Sequence, residues 1–162
     1  MTNRIAQSFG GRRAVLALGL LAAASAILPS ARAGAEDRIY TGLLSSTAVG
    51  GYDPVAYFRE GKPVEGSAEH ASSYAGATWR FASAANKAAF DADPARYAPA
   101  YGGHCAWAAA QGYLAKGDPK HWRIVDGRLY LNYDAGVQTT WEADIPGFIK
   151  AADAKWPEIG RR

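Results

Sequence analysis

The 162-residue chain holds one cysteine, Cys105, in the run Gly102-Gly103-His104-Cys105-Ala106-Trp107. Its thiol is the side chain best suited to soft-ligand binding or nucleophilic attack, and both require the thiolate. The paired glycines permit close backbone approach, and the run that follows reads as a helix from about His104 to Gln111, closed by Gly112. A helix N-terminus carries partial positive charge, so we expect a reactive Cys105 to ionise below the ordinary thiol range. His104 is a candidate second ligand if it lies in the loop, because neighbours on a regular helix point about 100° apart. Trp107 and Tyr57 are candidate aromatic contacts, with Lys116 and Asn132 as polar contributors. The competing reading is an inert, buried cysteine, since AWAAA follows and free cysteine is among the most buried residue types.

Two further residues carry candidate chemistry. Asp53, between Tyr52 and Pro54, reads as a turn or capping carboxylate, and alternatively as a site carboxylate near the thiol. His121 follows Gly117-Asp118-Pro119 and is placed at the mouth of a hairpin, while His70 beside Glu69 reads as a surface residue. The chain contains no CxxC, no HExxH, no phosphate loop and no serine elbow, so it favours a binding module over an enzyme. A thiol enzyme pairing Cys105 with a histidine is the alternative, and a structural partner-binding domain is a third class.

The elements that must position these groups are legible in part. Val55, Tyr57 and Phe58 favour a strand with Pro54 at its edge or start. Residues 70–81 read as a hairpin around Ala75-Gly76, with Trp79 and Phe81 on its buried face. Ser83 is an N-cap for a helix over residues 84–91, packed through Ala85, Ala88, Ala89 and Phe90 and stopped by Asp93-Pro94. Pro94 to Tyr97 suits a short helical turn. WRIV-DG-RLYLN predicts a two-residue hairpin at Asp126-Gly127. Closing helices are expected near residues 135–143 and 146–154, with Pro146 in a first turn. The fold class is α+β, a small single domain with antiparallel hairpins and helices on one side. No internal repeat is visible in the residues.

GYDPVAYF, TWRFAS and NKAAFDADPARYAPAYGGHCAWAA, spanning Gly51 to Ala109, together resemble the YHS domain family. The resemblance implies a small module often tied to metal handling. It also implies that the metal-type cysteines are missing, since Ala56, Ala82 and Asn86 stand where such members carry or flank thiolates. The expectation is therefore no tight zinc or iron site there, with a soft metal such as copper reaching Cys105 and His104 as the remaining cofactor.

The first 33 residues carry Arg4, Arg12, Arg13 and Arg32 and no acid, with an apolar run from Ala14 to Leu28 ahead of Ala31-Arg32-Ala33. That order predicts an export signal of the twin-arginine kind, cut after Ala33 or, second, after Ala35, and hence a periplasmic protein. The apolar run is shorter than the about 20 residues a spanning helix needs. The formal charge of +3 belongs to this segment, which leaves the remainder slightly acidic and without the basic footprint of a nucleic-acid binder. After an N-terminal segment, 34–50, the expected body is a YHS-like domain with a C-terminal helical extension over 51–159. One cysteine permits no internal disulfide.

Overall fold

A computed structural model describes residues 38–160. The signal, its cleavage sites, Gly34–Asp37 and Arg161-Arg162 lie outside the described residues. From residue 48 onward the chain runs through a left-handed 3-10 turn (Ala48–Gly51), α1 (Ala56–Glu60), β1 (Ser67–Tyr74), β2 (Ala77–Phe81), α2 (Ala84–Ala92) and α3 (Pro94–Tyr97). It then runs through a second such turn (Ala100–Gly103), α4 (Ala106–Gln111), β3 (Asp118–Val125), β4 (Arg128–Asn132), α5 (Ala135–Glu142) and α6 (Ile145–Ile159). β1 pairs antiparallel with β2 and β3 with β4, as two two-stranded sheets. This is the expected α+β class.

That order corrects the expectation of no repeat, because the second half rebuilds the first. Val49 and Gly50 in one turn and Tyr101 and Gly102 in the other all adopt positive φ, between 52° and 60°. Both hairpins have a first strand of eight residues and a second of five. Each carries an irregularity in its first strand, between Ser67 and Ala71 and between Asp118 and Trp122. Ala75-Gly76 and Asp126-Gly127 turn through the same left-handed angles. Gly66 and Gly117 enter the hairpins where a β-carbon would collide with Arg80 in one half and with the Gly103 carbonyl and Leu131 in the other. The halves share an alanine and glycines at these turns, Ala48-Val49-Gly50-Gly51 against Ala100-Tyr101-Gly102-Gly103, while most other matching positions differ, so residue-by-residue reading misses the repeat.

The helices start where short polar side chains cap them. Ser83 accepts from Asn86 N, Asp93 from Arg96 N, Asp134 from Val137 N and Asp144 from Gly147 N. Each supplies an acceptor to a backbone N–H left without a partner in the first turn. The segment expected as a strand at Val55–Phe58 is helical for the same reason. Asp53 Oδ1 accepts from Val55 N at 2.8 Å and Ala56 N at 3.3 Å, and Pro54 presets φ for a helical start. Capping here overrides the β preference of Val55, Tyr57 and Phe58.

Two apolar clusters form the core. One gathers Val55, Tyr57, Trp79, Phe81 and Phe90 from the first half and Leu129 and Leu131 from β4. The other holds Tyr101, Ala106, Tyr130, Trp141 and Trp156. β4 is therefore buried on both faces, with Tyr130 turned opposite to its neighbours. The expected packing face of α2 is corrected, since Ala85 and Ala88 are exposed and Asn86 joins Phe90 in the interior. Closing helix α6 runs to Ile159, beyond the expected 154, and Gly160 after it is buried, its carbonyl accepting Arg38 N at 2.7 Å.

Candidate functional site

Cys105 directly precedes α4, which begins at Ala106, two residues later than expected. The side chain is enclosed, at 1% exposure. Its Sγ donates to Asn132 Oδ1 at 3.8 Å, an acceptor that also takes Trp107 N at 3.3 Å. Burial pushes the thiol above its ordinary range, while the N–H groups of Ala108, Tyr133 and Trp107, turned toward the sulfur, pull it down. Burial dominates. The expected lowering is thus corrected: a six-residue helix offers a short dipole, and desolvation of the charged form outweighs it.

Cys105 borders a cavity of about 230 Å³ together with Trp107, Ala108, Tyr113, Ala115, Tyr133 and Val137. Tyr113 and Tyr133 are exposed and form its rim, and Lys116 Nζ sits 4.9 Å over the Tyr133 ring. Beside the thiol, Asn132 is fully buried and its Nδ2 has no hydrogen-bond partner. Two other hollows, one at Ile39, Tyr74 and Arg128 and one at Val125, Ile145 and Asp153, contain neither cysteine nor histidine. Of these three hollows, the one lined by Cys105 contains the thiol.

The other candidates are placed elsewhere. His104 is buried, its Nδ1 lies 2.9 Å from Tyr101 O, and its ring packs against Tyr40 and Trp156. Tyr101 and Trp156 belong to the second core cluster, and the thiol has its hydrogen bond with Asn132. Burial holds the imidazole below its ordinary range despite the Tyr101 carbonyl, so it is neutral at pH 7. Tyr57 is buried, donates to Pro119 O at 2.8 Å and meets Trp122 edge to face. Burial raises its phenol far above the ordinary value, and it acts as a tie between the halves. His121 sits half-buried within the irregular stretch of β3, outside the cavity lining.

Asp53 is fully enclosed and adds Ala82 N at 2.8 Å and Asn86 Nδ2 at 2.7 Å to its two helix donors. Asn86 Oδ1 in turn accepts Arg59 at 2.8 Å. A carboxylate accepting four donors is a structural keystone with no lone pair aimed at a ligand, as its capping reading expected. Among the described residues no three His, Cys, Asp or Glu side chains converge as a metal centre. Cavity residues Ala108, Ala115 and Val137 escape sequence reasoning because small apolar residues carry no chemical signal. Asn86 was read for what it lacks, a thiol, when its role is to donate to Asp53.

Fold and site together define a small α+β module, built twice over, with a buried thiol bordering an aromatic-rimmed cavity in its second half. Residues 55–101 match the family model described as YHS domain, so the chain carries a YHS domain over that segment. The match ends at Tyr101, before His104, Cys105 and the rest of the cavity. No curated protein and no solved structure matches the chain.

Proposed function

We propose that the chain is an exported, periplasmic YHS-domain accessory protein that binds a ligand without transforming it, in the cavity bordered by Cys105. The observation that carries this reading is the cavity itself: a soft thiol in the lining, apolar walls and an aromatic rim, with no acidic or basic side chain among the lining residues. Apolar pockets with few polar groups are the usual form of small-ligand sites. A thiolate selects soft ions, so copper(I) is the metal this lining suits, with its remaining ligands brought from outside the chain. The histidine-assisted thiol enzyme is the weaker reading, because the His104 ring is held at Tyr101, Tyr40 and Trp156.

Alkylation of the native full chain, with and without one equivalent of copper(I), tests the ligand reading. We expect slow labelling of Cys105 that accelerates with rising pH, is blocked by copper(I), and is absent in Cys105→Ser. Labelling seen only in denaturant would remove the site. Export is tested separately: residues 1–35 fused to a folded reporter should carry it across the inner membrane, and Arg12→Lys with Arg13→Lys should stop it. Continued export of the doubly substituted fusion would overturn the twin-arginine assignment.

A further inference from the structure

The two halves wrap the same loop around different groups. In the first, Asp53 follows the left-handed turn at Val49-Gly50, and its N–H donates to Val64 O at 2.8 Å. In the second, Cys105 follows the turn at Tyr101-Gly102, and its N–H donates to Ala115 O at 3.0 Å. Adjacent bridges agree, Tyr52 with Glu65 and His104 with Lys116, both antiparallel. The Asp53 carboxylate accepts from Val55 N, Ala56 N and Ala82 N. The groups facing Cys105 Sγ are Trp107 N, Ala108 N and Tyr133 N. Trp107 and Ala108 stand two and three residues after Cys105, as Val55 and Ala56 do after Asp53. Tyr133 directly precedes the capping Asp134, as Ala82 precedes the capping Ser83. The sulfur therefore stands where the other half holds a carboxylate.

The fourth donor differs. Asn86 Nδ2 completes the Asp53 shell. Its counterpart, the residue whose N–H meets the helix cap, is Val137, an apolar wall of the cavity. Open space replaces that amide. Next to the sulfur, however, the buried amide of Asn132 faces it with Oδ1 and leaves Nδ2 unpartnered. Leaving a buried donor unmade costs about 1–3 kcal/mol, and such groups call for a reason. Backbone donors thus stand by the sulfur at the positions that hold the Asp53 carboxylate, Trp107 N being shared with Asn132 Oδ1, and an unpartnered amide lies beside them. Against the nearby charge of Asp134, this arrangement suits an anion with two oxygens.

We propose that Cys105 is a site of oxidative modification, at which a peroxide converts the thiol to a sulfinate held by this nest as the Asp53 carboxylate is held by the other. The fraction of Cys105 that has lost its proton to solvent attacks one peroxide oxygen, slowly because burial keeps that fraction small. An S–O bond forms, the O–O bond breaks, and the departing hydroxide takes up that proton and leaves as water. A second peroxide repeats the step on the sulfenic acid and gives sulfinic acid, which releases its proton to solvent. Each step oxidises the sulfur by two electrons and reduces one peroxide to water. The chain has no second cysteine to intercept the sulfenic acid as an internal disulfide. The cavity holds several water-sized molecules, at about 30 Å³ each, enough to admit hydrogen peroxide.

The full chain is treated with hydrogen peroxide and followed by intact mass and thermal melting, beside Cys105→Ser and Cys105→Asp. We expect Cys105 to gain two oxygen atoms that resist dithiothreitol, and the oxidised chain to melt no lower than the reduced one. Cys105→Asp, which puts a carboxylate into the nest, should melt no lower than Cys105→Ser. A Cys105→Asp chain that fails to fold or melts well below Cys105→Ser overturns the nest, as does oxidation that unfolds the protein or stops at a reducible product. The ligand reading of the same cavity fails independently, if copper(I) protects the thiol from neither alkylation nor peroxide.

Discussion

Asp53→Ala is expected to destabilise the protein by about 4 kcal/mol, among the larger losses a single substitution produces. It removes an acceptor on which four donors converge inside the protein: Val55 N, Ala56 N, Ala82 N and Asn86 Nδ2. With Asp53 fully enclosed, water cannot replace it without opening the fold, and each orphaned donor keeps a desolvation cost of about 1–3 kcal/mol, less than additively. The start of α1 loses its cap and Asn86 loses the reason for its burial. Asp53→Asn keeps the shape but turns a donor toward donors, so it should recover little of the loss. Urea titration measures both, and a loss under about 1 kcal/mol for Asp53→Ala would show that the carboxylate is not the keystone.

Trp79→Ala is expected to cost about 3–5 kcal/mol. The indole has no exposed surface, lies 5.0 Å from the Phe90 ring at a tilt of 33°, and donates Nε1–H to Tyr74 O at 3.0 Å. Its removal opens a large void between β2 and α2 and strands the Tyr74 carbonyl. Trp79→Phe should recover most of the packing and leave the lost hydrogen bond as the residual, about 1 kcal/mol. Equal stability of the Ala and Phe variants would show that the neighbours collapse into the space and that the ring does not set the core.

Trp79 and Phe81 also mark what was readable in advance. Their alternation with Arg80 follows the two-residue period of a half-buried strand, and Asp126-Gly127 announces its turn through φ values few residue pairs adopt. Ser83 announces α2 because a serine before a helical run has an N–H to accept. Tyr57 and Phe58 mislead, because a strand preference of side chains lost to a cap formed by a residue upstream of them. Asn86 misleads differently: a polar residue is drawn inside by a partner that lies 33 positions away in sequence. The cavity and the doubled architecture lay beyond reach for a shared reason. Both rest on backbone conformation, which the halves hold with a few shared glycines, while the groups inside the loops are unlike, Asp53 against Cys105 and Asn86 against Val137.

The tie between β4 and the first core cluster separates two kinds of boundary. Leu129 and Leu131 have no exposed surface and close a cluster otherwise supplied by residues before Tyr101, while the Tyr57 hydroxyl anchors itself on Pro119. The segment that matches the family model ends before Pro119, Leu129 and Leu131. The matched segment and the packed core therefore have different borders in this chain: the cluster built largely from residues 55–101 is closed by Leu129 and Leu131 of β4. A change in the second half, at the thiol included, is felt by the first through β4.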